Sequence, residues 1–260
     1  MRIKLGWQWG AIALLYIFLI SCNSAPNTSS NLTVSAAASL QKVMTEIQQL
    51  YATVQPDVKI TYNFGASGSL QQQIEQGANI DVFISAASQQ MDALAAKDLI
   101  LTDTRRNLLT NQIVLIVPKG SKSITSFQDL TSDRINKIAI GEPNSVPIGK
   151  YAKEVLNYFK IYNLLRNKLV FAKDTRQVLS YVETENVDTG IVYLTDAKSS
   201  KLVSIIATAS TASHSPIVYP LAIIKNSKNR AIVENFVSFL SSKPAINIYK
   251  KYGFSTASKN

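Results

Sequence analysis

Two serines and a tyrosine carry the side-chain chemistry that stands out in this chain of 260 residues. Ser39 ends the run Leu32-Thr-Val-Ser-Ala-Ala-Ala-Ser-Leu40, read as a short strand turning into a helix that Ser39 caps. Ser67 lies in Phe64-Gly65-Ala66-Ser67-Gly68-Ser69, another strand-to-helix turn, whose glycines permit close approach and whose hydroxyls can donate to oxygen. Tyr193 closes Gly190-Ile191-Val192-Tyr193 with a phenol that can donate one hydrogen bond. Two more junctions offer backbone donors. Pro147 fixes a backbone angle just before a helix and leaves the N–H groups of Ile148 and Gly149 available. Asp174-Thr175-Arg176 starts a helix, with Asp174 as its cap. The first N–H groups of a helix lack an internal partner and its dipole favours negative charge, so all of these places suit an anion. Each also has a structural explanation: a Ser or Asp cap, a proline start, or a Tyr that packs at a strand end.

The elements that must position these residues alternate. Short apolar runs at Leu32–Ala36, Val58–Phe64, Asp81–Ser85, Ile113–Val117, Ile138–Ile140, Leu169–Phe171, Thr189–Leu194, Leu202–Ala207 and Val218–Ile224 predict strands. Between them, Leu40, Val43, Met44, Ile47, Leu50 and Tyr51 share a helical face. Helices also fit residues 148–160, 176–185, 232–240 and 244–251. Such alternation predicts a largely parallel α/β architecture, with ligands outside the carboxyl ends of strands. The chain has two candidate crossovers, one near residue 111 and one near residue 217. They would give two lobes: residues 31–111 with 218–260, and residues 112–217. A single large sheet is the alternative.

The N-terminus is set apart. Arg2 and Lys4 precede the apolar run Ala11–Ile20, which is too short for a membrane span of roughly 20 residues, and Leu19-Ile20-Ser21-Cys22 follows. The pattern predicts an export signal over residues 1–21. Its last four residues resemble the lipobox of bacterial lipoproteins, in which the Cys becomes the acylated first residue. Cys22 is the single cysteine, so no disulfide is available. Residues 22–30 read as a flexible polar tether. Loss of Arg2 and Lys4 takes the formal charge from +10 to +8. The basic residues are scattered, which does not suit nucleic acid.

Taken together, Ala36-Ala-Ala-Ser39-Leu40, the Ser67 loop, Asp81-Val-Phe-Ile-Ser-Ala86, Gly141-Glu-Pro143 with Val146-Pro147, and Gly190-Ile-Val-Tyr193 resemble the periplasmic molybdate-binding proteins, the receptors of molybdate ABC importers. The likeness runs on through Tyr219-Pro220 to Tyr252-Gly253-Phe254. It implies a type II periplasmic-binding-protein fold, two α/β lobes joined by two crossover strands with the ligand cleft between them. It further implies a tetrahedral oxyanion held by Ser39, Ser67 and Tyr193 and by the backbone N–H groups of Ile148 and Thr175, with those of Ala38 and Ser67 nearby. The implied ligands are molybdate and tungstate, with no cofactor and no protein ligand to a metal cation. The implied partners are an ABC permease and, through Cys22, a membrane; a monomer is expected. Ile148 replaces a small Ala of the family, Thr175 a frequent Val, and Glu142 an Asp. Backbone donors survive such changes, while Ile148 could crowd the cleft and Thr175 could add a hydroxyl.

Other classes fit less well. A serine hydrolase needs a general base, and the one histidine, His214, stands in a polar segment away from both serine loops. Residues 65–69 read Gly-Ala-Ser-Gly-Ser and lack the Gly-x-Ser-x-Gly elbow. One His and one Cys do not make a zinc site. A receptor for sulfate or phosphate is the nearest rival, and the export signal argues against a cytoplasmic sensor.

Overall fold

The computed structural model describes residues 30–122, 124–228 and 230–257. The expected signal, Cys22 and nearly all of the tether lie outside them. In chain order the elements are β1 (Ser30–Ala37), α1 (Gln41–Val54), β2 (Val58–Gly65), α2 (Ser67–Glu75), β3 (Val82–Ile84), α3 (Ser88–Ala96), β4 (Arg106–Thr110) and β5 (Ile113–Pro118). Then follow β6 (Ile138–Gly141), α4 (Pro147–Tyr158), β7 (Leu169–Ala172), α5 (Thr175–Glu183), β8 (Thr189–Tyr193), α6 (Leu194–Lys198) and β9 (Val203–Thr208). The chain closes with β10 (Val218–Ile223), α7 (Arg230–Phe239), α8 (Lys243–Lys251) and β11 (Ser255–Thr256).

The strands form two sheets. One runs β11-β4-β10-β3-β1-β2 and the other β7-β6-β8-β5-β9. The chain leaves the first sheet between β4 and β5 and returns between β9 and β10, so the first sheet is built from both ends of the described chain. Helices cover both sheets, and the fold is α/β. The expectation of largely parallel sheets is corrected. β1 pairs with β2 and β3 in parallel, as β6 does with β7 and β8, but β10 runs antiparallel to β3 and β4, and β5 antiparallel to β8 and β9. The reversals fall on the two strands that follow the crossings and on the short edge strand β11, which is antiparallel to β4. Ser30, assigned to the tether, is the first residue of β1: its N–H donates to the Asp57 carbonyl at 3.0 Å.

Burial explains the patterning. Ile113 to Val117 of β5 are fully buried, which is why that stretch is continuously apolar. Val43, Met44, Ile47 and Tyr51 form the inward face of α1. Each such aliphatic side chain contributes about 1.5–3 kcal/mol by leaving water. Pro220 sits inside β10 at a register shift between Tyr219 and Pro220, where the ladder tolerates its missing N–H. Gly149 lets the start of α4 lie against β6, since a Cβ there would stand 2.0 Å from the Gly141 carbonyl oxygen. That contact places the helix N-terminus at the end of the strand.

Candidate functional site

Ser39, Ser67, Ile148, Thr175 and Tyr193 all line one narrow cavity between the two sheets. Ser39 and Ser67 come from the first-sheet half, Ile148, Thr175 and Tyr193 from the second. Among the described residues, no lysine or arginine lines this cavity.

Ser39 is not a helix cap. It lies within a single tight turn, Ala38–Leu40, between β1 and α1, and its side chain caps neither that turn nor α1. Its Oγ is 3.0 Å from the Tyr219 hydroxyl instead. The small residues of the junction let the chain tighten into that turn, which takes the serine out of capping range. Ser67 opens α2 and is fully buried. Its Oγ accepts from the Ala86 N–H at 3.0 Å, so the hydroxyl proton is free to be given to another oxygen.

Ile148 is the second residue of α4, behind Pro147, and Thr175 is the first of α5. Their N–H groups have no carbonyl within reach in their own helices. Asp174 caps α5 as expected: its Oδ1 accepts from the Gln177 N–H at 2.9 Å, which draws charge toward the helix end although the residue still borders the cavity. The Thr175 hydroxyl does not join the donors, because Oγ1 gives its proton to Asp196 Oδ2 at 2.9 Å.

Tyr193, 1 % exposed, ends β8, and its hydroxyl is buried without a hydrogen-bond partner. Burial first, then the neighbouring Tyr219, Tyr151 and Asp196, hold this phenol well above its ordinary pKa, so it stays protonated and able to donate. Asp196 lies behind the cavity. Burial pushes its carboxyl up to about 7, against the Thr175 hydroxyl and the Arg176 charge, which favour ionisation.

Asn111, Tyr219 and Asp196 escaped the sequence reading as site residues. Tyr219-Pro220 stood out only as part of the family likeness, and nothing local marks Asn111 or Asp196. His214 lies apart from the serines, its Nδ1 2.8 Å from the Ser215 carbonyl and its ring edge-on to Tyr151. Among the described residues no cluster of His, Cys, Asp and Glu could hold a metal ion, and no helix is long and apolar enough to cross a membrane.

The halves also touch around the cavity. Gly68 N–H donates to the Ser145 carbonyl at 3.0 Å, Arg176 Nη1 to Gln41 Oε1 at 2.7 Å, Lys42 Nζ to the Ser199 carbonyl at 2.9 Å, and Lys150 Nζ to Gln89 Oε1 at 2.8 Å. A cleft of neutral donors between two such halves is a trap for a small anionic solute. The model of the bacterial extracellular solute-binding proteins matches residues 32–255. The chain belongs to that family. Among the relatives of this solute-binding protein is a Bacillus subtilis (strain 168) protein provisionally named an ABC transporter substrate-binding lipoprotein, YvgL. It is 45% identical over 94% of this chain and 96% of its own. The molybdate-binding protein ModA of Escherichia coli (strain K12) is 38% identical over 86% of this chain and 88% of its own. In fold, the solute-binding protein is similar to the solved periplasmic molybdate-binding protein of Azotobacter vinelandii, with a TM-score of 0.80 and 23% identity. That match covers 87% of this chain and all of the other.

Proposed function

We propose that this solute-binding protein captures molybdate, and tungstate of the same shape and charge, outside the cytoplasm and delivers it to an ABC permease. The observation that carries the reading is the buried, partnerless Tyr193 hydroxyl facing a cavity that also holds the Ser39 and Ser67 hydroxyls and the N-termini of α4 and α5. A buried hydroxyl without a partner costs about 1–3 kcal/mol, a cost that an oxyanion accepting its proton removes. A fully ionised oxyanion needs donors only, and neutral hydroxyls with helix N-termini meet that need without a buried cation. Two relatives support complementary parts of the reading: the name of the Escherichia coli protein gives molybdate as its ligand, and that of the Bacillus subtilis protein a substrate-binding role in ABC transport.

The protein binds and releases its solute unchanged; neither serine is bonded to a base, since Ser39 meets Tyr219 and Ser67 meets the Ala86 N–H. It works as a monomer without cofactor, tethered through acylated Cys22; the lipoprotein name of the Bacillus relative supports the tether alone.

Calorimetric titration with molybdate, tungstate, sulfate and phosphate tests the reading. Tight binding of the first two is expected. Binding of sulfate or phosphate with none of molybdate would sink it.

A further inference from the structure

We propose that Tyr219 and Asn111 are positioning residues that make Ser39 an obligate hydrogen-bond donor toward the cleft, so that the site prefers oxyanions carrying no proton. This inference rests on the oxyanion reading above.

The hydrogen bonds around Asn111 fix the direction of each proton. The Gln112 backbone N–H can only donate, and it lies 2.9 Å from Asn111 Oδ1. That contact settles which end of the Asn111 amide is oxygen. The other end, Nδ2, has two protons and no acceptor capacity, and it reaches Thr195 Oγ1 at 2.9 Å and the Tyr219 hydroxyl at 3.1 Å. Tyr219 is therefore an acceptor toward Asn111. Its residue is fully buried, and its other hydroxyl partner is Ser39 Oγ at 3.0 Å. The phenol proton goes to Ser39. Ser39 then accepts from Tyr219, and its own proton is left for the cleft.

Ser67 is handled the same way by a simpler device, the Ala86 N–H. Both serines thus face the cavity as donors, beside the Tyr193 hydroxyl. A molybdate or sulfate dianion offers only acceptors to such a set. Hydrogen phosphate must bring a proton of its own, and the two serine oxygens, each already accepting one hydrogen bond, have only one lone pair left to take it at the cost of turning their own proton away from the anion.

The network spans the fold at a particular place. Asn111 is on the link from β4 to β5, Tyr219 is on the returning strand β10, and Thr195 is on α6 of the second half. The direction of the Ser39 proton is thus imposed by both crossings of the chain. The Tyr219 ring is held between Tyr193, at 5.9 Å, and Phe254, at 5.6 Å between centroids, contacts that a phenylalanine would keep.

The test is a mutant cycle. Y219F, N111D and S39A, and each of the first two combined with S39A, are titrated with molybdate, tungstate, sulfate and phosphate at a pH where phosphate is part-protonated. Y219F is expected to weaken molybdate about tenfold or more. It should also narrow the ratio of molybdate to phosphate affinity, because Ser39 regains the freedom to accept. In the S39A background Y219F should cost nothing further. N111D turns the amide donor into an acceptor and draws the Tyr219 proton away from Ser39; S39A should remove that part of its loss and leave the part that is repulsion between the new charge and the anion. Where S39A binds too weakly to measure, the molybdate-to-phosphate ratio of Y219F alone decides. A purely structural role would lower all four affinities alike. Such a uniform loss, a Y219F affinity within twofold of wild type, or a Y219F loss that adds in full to that of S39A would overturn the inference. A wild-type protein that prefers sulfate would refute the molybdate reading and leave the cycle to be run on sulfate; one that binds no oxyanion overturns both.

Discussion

The backbone N–H of Gly68 donates to the Ser145 carbonyl at 3.0 Å, joining the start of α2 to the loop before α4 across the gap between the sheets. Only glycine allows this approach. A Cβ at residue 68 would stand 2.5 Å from the same carbonyl oxygen.

Gly68→Ala should therefore hold the two halves apart without disturbing either. Molybdate affinity is expected to fall about tenfold or more, while the melting temperature of the ligand-free protein changes little. Calorimetry and thermal melting measure the two. Wild-type affinity in the variant would show that this contact plays no part in closure.

Tyr193→Phe separates stability from binding. Removing a buried hydroxyl that has no partner should leave the ligand-free protein as stable or more stable, by up to about 3 kcal/mol. The same change removes a donor to a charged ligand, worth about 1.5–3 kcal/mol, or roughly tenfold to a hundredfold in affinity. Opposite signs in melting and titration are the expected signature; a fall in both would mean that the hydroxyl has a partner in solution.

Each serine hydroxyl should matter on the same scale, and Ser39→Ala with Ser67→Ala should abolish measurable binding while the fold, followed by circular dichroism, persists. Unchanged affinity in the double variant would remove both residues from the site.

Asp196 sets a pH dependence. Burial raises its carboxyl to about 7, from about 3.9 in an unfolded chain. The folded protein then holds more protons than the unfolded one between those values, so stability falls as pH rises through that window and the loss is complete above about 7. Asp196→Asn removes the effect, and its advantage in melting temperature over wild type should grow from pH 5 to pH 8. The groups acting on Asp196 are the Thr175 hydroxyl, Arg176, the Tyr193 backbone and Asp174. A dianion in the neighbouring cavity adds to Asp174 in favouring the protonated form. Wild-type affinity for molybdate should therefore rise from pH 8 to pH 6, and the Asn variant should be flat. A wild-type protein without that slope would contradict the coupling.

Cys22→Ala tests the anchor. The variant should appear in the soluble fraction of cells in which the wild type sediments with membranes; a variant that still sediments would place the attachment elsewhere.

Much of this architecture could be read in the chain because its signals are local. The apolar run at Ile113–Val117 and the helical spacing of Val43, Met44, Ile47 and Tyr51 are visible in windows of a few residues, and the elements formed there. The site positions were legible for the same reason, since each sits where a strand hands over to a helix or ends. What the chain did not reveal depends on distance. Ser39 and Tyr219 are 180 positions apart, and Asn111 and Tyr219 are 108. A capping serine and a serine that meets a remote phenol look alike until the chain has folded. The short helices α3 and α6 were missed because Gln89 and Gln90 dilute the apolar spacing of the first and the second has only five residues. The antiparallel strands were missed because hydrophobic spacing has no direction.

The double crossing has a consequence for how the protein is made. β10 lies between β3 and β4, in the interior of the first sheet, yet it comes from residues 218–223. The second sheet is contiguous and is complete once β9 has emerged at residue 208. As the chain emerges N-terminus first, the half completed last is the one whose first strand appears earliest. β1 to β4 must wait, with an open seam, for a strand that begins only at Val218. Chain order therefore holds the Ser39 side of the trap unfinished until most of the chain has emerged, while the Tyr193 side can already stand.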